Sequence, residues 1–443
     1  MTTNVDVGRL LDHGSWTGYQ KAILALVALA IIFDGFDLQL LAFAIPALVK
    51  EWKVPRESFA LILAVGLIGM SIGTAAAGLL GDRIGRKRAL IASFLVFGVA
   101  TAAAAFAAGL TSLGLLRFIA GMGLGGSVPN AAALVAEFTP LKRRAMAVSI
   151  TIVCIPLGGA LAGAVAARTL STAGWRYLFG LGGFAALAFS LLLIALLPES
   201  ARFLVRKRAR WNELARLLTR LGQSIPPEAQ FTDPAEQSRE QGTTFTALFG
   251  PSVIRNTASL WLCFLSSMLS VYLALNWLPT YLSAQGFDFS KSSSGGSAYG
   301  FGGVAGALFC AACINRFGSR ATIMSACVGA IITALILWNV PPAQSSGLPL
   351  LALAAHGFFA NGVQTTMFAL AAHVYPTRVR AGGIAAAIAI GRAGAVGSAF
   401  LGASLVKAGP AEYFGAISLG LAVTLIGLAL VSDHIPRFRP EGI

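Results

Sequence analysis

Apolar blocks of about 20 residues alternate with short polar breaks along this chain, the pattern of helices long enough to cross a bilayer. Six blocks stand at about 22–46, 59–80, 89–108, 110–136, 146–167 and 176–197. Six more stand at about 258–283, 295–314, 320–340, 349–374, 382–405 and 412–432. The one long hydrophilic stretch, 198–255, falls between the two sets. The pattern predicts an all-α integral membrane protein of twelve transmembrane helices. One six-helix half covers 1–197, a linker 198–255, and a second half 256–443. Within the linker, Leu204, Trp211, Leu214, Leu217, Leu218 and Leu221 alternate with six arginines and a lysine. Such a stripe predicts a basic amphipathic helix lying on the inner membrane surface. The Gln-, Glu- and Pro-rich residues 222–242 are expected to be mobile.

Composition agrees with this class: 56% of residues are hydrophobic and 12% charged, and the mean hydropathy is +0.76. A formal charge of +15 raises the question of nucleic acid, but the placement of the cations answers it. Of the 33 lysines and arginines, 24 fall on one side of the predicted spans, 7 on the other, and only Arg117 and Arg392 inside them. Lys and Arg concentrate on the cytoplasmic side, so both termini are expected there, in a cell inner membrane, and no nucleic-acid partner is implied. The five cysteines all lie in apolar blocks and form no disulfide framework. Cys310-x-x-Cys313 has neither a second pair nor a nearby histidine, so no metal site and no cofactor is expected. The polar residues 1–21 and the long apolar run after them do not read as a cleavable signal peptide.

The halves repeat each other. Gly81-Asp82-Arg83-Ile84-Gly85-Arg86-Lys87-Arg88 after span 2 returns, degraded, as Asn315-Arg316-Phe317-Gly318-Ser319-Arg320 after span 8. Glu137-Phe138-Thr139-Pro140 after span 4 returns as His373-Val374-Tyr375-Pro376 after span 10. Repetition on this scale marks secondary transporters whose site lies between the halves.

Four charges lie inside the spans. Asp34 and Asp37 share one face of span 1, three residues apart. From the helical rise, Asp34 lies ~18 Å from the inner end, Asp37 ~13 Å from the outer end and Arg117 ~10 Å from the outer end of span 4. Asp37 and Arg117 are therefore level and predict an ion pair. It is either a proton-sensitive switch or a static tie that orders the bundle, and intramembrane acids favour the first. Arg392, ~15 Å into span 11, is level with Asp34. Its guanidinium fork suits a substrate carboxylate, and neutralisation of Asp34 is the alternative. Candidate walls and polar contacts for a ring are Phe33, Phe36, Trp277, Tyr281 and Phe368, with Gln39, Asn130, Asn276, His356, Asn361, Gln364 and Thr365 at similar depth. Asn276, Trp277 and Gln364 are the leading candidates.

The loop Gly81-Asp82-Arg83-x-Gly85-Arg86-Lys87 is similar to the signature loop of the major facilitator superfamily. Asp34-Gly35-Phe36-Asp37, Asn276-Trp277-Leu278-Pro279, Gln285-Gly286-Phe287, Leu197-Pro198-Glu199-Ser200 and Gly391-Arg392-x-Gly394-Ala395 together resemble the aromatic acid:proton symporters of that superfamily. The resemblance covers nearly the whole chain. It implies a monomeric, proton-coupled importer with no enzymatic activity. Asp34, Asp37 and Arg117 would serve proton coupling, and Arg392, Asn276, Trp277, Tyr281, Gln364, Phe368, Phe36 and Asn130 would bind substrate. A cytoplasmic gate holding the halves together when the outside is open would use Asp82, Arg83, Arg86, Glu137, Arg144 and Glu199; casual pairing of positive-inside charge is the rival reading. The expected cargo is a small aromatic carboxylate such as a hydroxybenzoate. Proton symport would offset the ~2.3 kcal/mol per charge per 100 mV that opposes an anion entering a negative-inside cell. A porter for another organic acid is the alternative. A drug:proton antiporter fits less well, because Ile155-Pro156-Leu157-Gly158-Gly159-Ala160 departs from the exporters' span-5 signature. A membrane receptor or enzyme has no soluble domain or nucleophile–base pair to support it.

Overall fold

The computed structural model describes residues 4–223, 225–226, 229–233, 248–250, 253–339, 347–375 and 379–437. Most of the 222–242 stretch expected to be mobile lies outside them. A short strand β1 (Asn4–Asp6) and α1 (Val7–His13) precede the first helical set. That set is α2 (Gly18–Trp52), α3 (Ser58–Ile84), α4 (Arg86–Ala104), α5 (Leu110–Phe138), α6 (Leu141–Thr169) and α7 (Gly174–Leu196). The linker supplies α8 (Ala201–Val205), α9 (Trp211–Arg220) and β2 (Gln230–Thr232). The second set is α10 (Ile254–Ala284), α11 (Phe289–Phe317), α12 (Ser319–Asn339), α13 (Leu348–Val374), α14 (Arg380–Ala408) and α15 (Pro410–Leu430). Among the described residues, eleven helices are long and apolar enough to cross a membrane. The exception among the two sets is α13, whose apolar run is broken by His356, Asn361 and Gln364.

Local chemistry sets the helix ends. Thr17 caps α2 in a reciprocal capping box with Gln20, and Lys53 ends it in the left-handed conformation. Between α3 and α4 the chain turns at Gly85, φ +104°, where a side chain would collide with the Glu199 carboxylate. Glu199 Oε1 accepts from Lys87 N at 3.0 Å, placing an anion at the amino end of α4.

The two halves are wired alike. In the first, α3 packs on α5, α2 on α6 and α4 on α7; in the second, α11 packs on α13, α10 on α14 and α12 on α15. The tightest contacts use glycine in both. A Cβ at Gly73 would run into the Met122 carbonyl, and one at Gly125 into that of Met70. In the second half, Gly306 meets the Phe358 carbonyl and Gly357 that of Tyr299. Backbone approach of this kind is how helices associate where lipid removes the hydrophobic drive. The half-chain repeat seen in the sequence is thus also a repeat of packing.

Three helix pairs form the seam between halves: α6 with α11, α2 with α10, and α3 with α14. Ser297 Oγ donates to the Ala160 carbonyl at 2.9 Å, Gly300 rests on Ala160 and Gly296 on Phe43. These contacts lie toward the end of the bundle where α2 stops and α11 starts. At the other end the first half packs on its own appendages. Leu214, Leu217 and Leu218 of α9 are buried with Val7, Leu11, Phe138 and Phe231, and β1 pairs in parallel with β2. The apolar stripe of α9, expected on the lipid surface, is therefore buried in protein. An amphipathic period specifies an apolar contact without specifying whether lipid or protein supplies it.

Gly306→Ala should destabilise the protein in detergent by about 1–3 kcal/mol, the cost of overpacking. Gly397→Ala, whose Cβ would meet nothing within 4 Å, should be neutral or gain up to ~1 kcal/mol of helix propensity. Thermal unfolding of the two variants checks this, and equal shifts would remove the close-packing account.

Candidate functional site

The face of α2 that carries Asp34 and Asp37 is buried, at 0% and 1% exposure, so each carboxyl depends on protein partners. Asp37 has three. Thr101 of α4 donates to Asp37 Oδ1 at 2.5 Å, and Arg117 of α5 approaches Oδ2 at 3.4 Å. Arg117 Nη2 also donates to Thr101 Oγ1 at 2.6 Å, and its guanidinium stands 5.0 Å from the Phe179 ring of α7. The level match expected from the sequence thus brings Asp37 and Arg117 together, with the Thr101 hydroxyl bridging them more closely than they approach each other. Thr101 was not anticipated; the signal available was a lone hydroxyl in the alanine run Thr101–Ala105.

Asp34 sits differently. Ser127 of α5 hydrogen-bonds its Oδ1, and its Oδ2 has no partner. Ser127 Oγ also lies 2.8 Å from the Leu124 carbonyl. A hydroxyl has one proton to give. If Leu124 takes it, the Asp34–Ser127 contact needs a proton on the carboxyl. Among the described residues Asp34 has no cation within ion-pair distance, and Arg392 does not reach it.

The second half faces this with donors. Arg392 Nη1, Gln364 Nε2 and Asn276 Nδ2 are buried and unpartnered. Gln364 is held from the other end, its Oε1 accepting from Ser267 Oγ of α10 at 2.7 Å, and Phe368 packs edge-on to Phe264. Asn276 borders a small cavity of ≈ 40 Å³ across the seam from Arg117. A second cavity, ≈ 60 Å³, lies between the halves and is lined by Gly35, Gln39, Pro156, Leu278, Tyr299 and Asn361 among others. Tyr299 was missed: it stands with Phe301 in the glycine-rich stretch Gly295–Gly303, where two bulky residues among small ones were the available sign.

Four expected substrate contacts lie elsewhere. Trp277 is fully buried against Gly402 of α14. Tyr281 stacks on Tyr413 of α15 at 4.7 Å, Phe36 packs toward Gly182 of α7, and none of the three borders either cavity. Asn130 donates to the Ala77 and Gly126 carbonyls, tying α5 to α3 near the end of the bundle. Trp277, Tyr281 and Phe36 thus pack within their own halves, and Asn130 lies near the helix end.

A profile described as the Major Facilitator Superfamily matches residues 27–399. The chain belongs to the major facilitator superfamily. It is 35% identical over 411 residues to the 4-hydroxybenzoate transporter PcaK of Acinetobacter baylyi, covering 91% of this chain and 89% of that protein. It is 32% identical over 437 residues to the gallate transporter of Pseudomonas putida, covering 98% and 96%. Among solved structures, the inward-open xylose transporter XylE from E. coli superposes with a TM-score of 0.74 at 19% identity, covering 95% of this chain and 98% of that one, a likeness of fold. This member of the superfamily is a multi-pass membrane transporter and not an enzyme.

The signature loop of the superfamily anchors a polar cluster at the end of the first half. Arg86 pairs with Asp82 at 2.5 Å and reaches Glu137 at 3.9 Å, while Ser200 bonds to Glu137 and Glu199 caps α4. Arg144 and Arg202 converge on Asp12, a residue the sequence did not single out, and Arg83 is exposed. The described bonds of Asp82, Arg86, Glu199 and Arg144 run within the first half and its flanking segments. These bonds fasten α1, α8 and the loop to the helix ends.

Thr101→Val removes the bridge and should cost about 1.5–3 kcal/mol, the range for hydrogen bonds to charged groups. Thr101→Ser should retain most of the stability. Thermal unfolding of both variants reads the difference; a loss shared equally by Ser and Val would assign the effect to packing of the methyl group.

Proposed function

We propose that this protein imports a small aromatic carboxylate, hydroxybenzoate-like, together with protons across the inner membrane, by alternating access of two six-helix halves. In this reading α13 is the twelfth span, and both termini face the cytoplasm, where 24 of the 33 cations lie. The observation that carries the reading is the division of labour across the seam. The first half presents two buried acids, and the second presents buried donors without acceptors, Arg392 foremost. Donors of that kind call for an anion, and acids in that setting call for a proton.

Within this scheme Asp34 carries the coupling proton, because it alone of the pair has no ion-pair partner among the described residues. Asp37 is the fixed member whose pair with Arg117 and Thr101 stabilises the bundle and sets the charge that Asp34 faces. This refines the expectation that gave the switch to Asp37. Arg392 takes the substrate carboxylate and Gln364 assists. The relatives' cargoes, 4-hydroxybenzoate and gallate, support the aromatic choice.

Uptake into proteoliposomes under an imposed pH gradient tests this, with benzoates screened against aliphatic acids. A hydroxybenzoate should accumulate and an aliphatic acid should not; preference for an aliphatic acid, or indifference to the gradient, overturns the reading. Arg392→Lys should raise the half-saturating concentration about tenfold or more, since an ammonium lacks the fork. Asp34→Asn should still exchange labelled substrate but fail to accumulate it, and unimpaired accumulation would remove the acid from the coupling role.

A further inference from the structure

The C-terminal tail closes a crevice on the outer wall of the second half, away from the seam. Ser319 N donates to the Ile435 carbonyl at 3.0 Å, and Ile435 N donates back to Ser319 Oγ at 2.8 Å. Gly318, φ +80°, leaves room for the tail, since a Cβ there would press on Ile435 and Arg437. The pinned tail sets Arg437 at the mouth of a crevice of ≈ 430 Å³ between α11, α12 and α13, within the ~300–1,000 Å³ of small-molecule sites. Its walls include Phe309, Cys313, Phe317, Ala326 and Phe359. Phe309 and Phe317 are 57% and 49% exposed, and no residue of the first half lines the crevice.

Charge and depth narrow the occupant. Arg316, Arg320 and Arg437 are exposed at this end, and among the described residues none has an ion-pair partner. The stretch 309–326 contains no Asp or Glu, and Asp433 of the tail is engaged by Asn256 Nδ2 at 3.0 Å. From Phe317 to Phe309 the crevice follows α11 for ~12 Å, close to the ~15 Å depth of one leaflet's hydrocarbon. An apolar slot one leaflet deep under a rim of three arginines, none in an ion pair among the described residues, matches one amphiphile.

The geometry points to a binding site for an anionic phospholipid, with one acyl chain in the α11–α12–α13 crevice and the headgroup phosphate held by Arg437, Arg316 and Arg320. The inference uses only the placement of the helices in a membrane and does not depend on the substrate. Positive rims between transmembrane helices select acidic headgroups, at about fivefold in affinity per arginine.

Native mass spectrometry of the delipidated full-length protein, titrated with dioleoyl-phosphatidylglycerol or dioleoyl-phosphatidylcholine, tests it. One phosphatidylglycerol should be retained in preference to phosphatidylcholine. Arg437→Gln, an exposed position that leaves the fold intact, should weaken retention about fivefold, and the triple Gln variant at 316, 320 and 437 about 100-fold. Cys313→Phe should abolish retention by filling the slot with the arginines in place. Equal retention of the two lipids, no change in Arg437→Gln, or displacement by glycerol phosphate without chains would each overturn the proposal.

Discussion

A carboxylate in the middle of a membrane bundle must be neutralised by a cation or by a proton, because water is not there to solvate it. The first half carries two such acids, one turn apart on α2. Asp37 is met by Arg117 and Thr101, drawn in from α5 and α4. Asp34 is met by the Ser127 hydroxyl, with one carboxyl oxygen unpartnered. Because one acid is already matched, a proton arriving at the other changes the net charge of the site by a full unit. A substrate anion bound at Arg392 would change it by the same amount in the opposite sense, which is the electrostatic basis for coupling the two.

That electrostatic arrangement needs helices held close enough to keep water out and yet free to move as two blocks. Glycine serves the first need. Within each half, backbones touch at Gly73, Gly125, Gly306 and Gly357. Between halves, the seam relies on small residues such as Ala160 and Gly300 and on Ser297. In the proposed alternating access, one half would rock against the other across this seam. The linker helix α9 is buried on the first half.

Much of this was legible in the sequence, and the failures share a cause. Spans, halves and the Asp37–Arg117 level match follow from hydrophobic length and helical rise, which are one-dimensional quantities. Rotation about a helix axis is not one of them. Trp277, Tyr281 and Phe36 pack on Gly402, Tyr413 and Gly182 of their own halves, which depth alone does not specify. The stripe on α9 named an apolar partner correctly without distinguishing lipid from protein. Ser127 and Thr101 matter because of what lies across from them on α2, and single hydroxyls among alanines and glycines carry little signal alone. Asp12 lies outside the spans, and its meeting with Arg144 and Arg202 depends on the return of the linker.

The central claim is that one transported anion carries protons through the Asp34 site. The most direct measurement is the external pH of a weakly buffered proteoliposome suspension, with no gradient imposed, when 4-hydroxybenzoate is added outside. The account predicts that the medium becomes more alkaline as substrate enters, by at least one proton per molecule, and that Asp34→Asn abolishes the change. Entry of 4-hydroxybenzoate with no alkalinisation would contradict it.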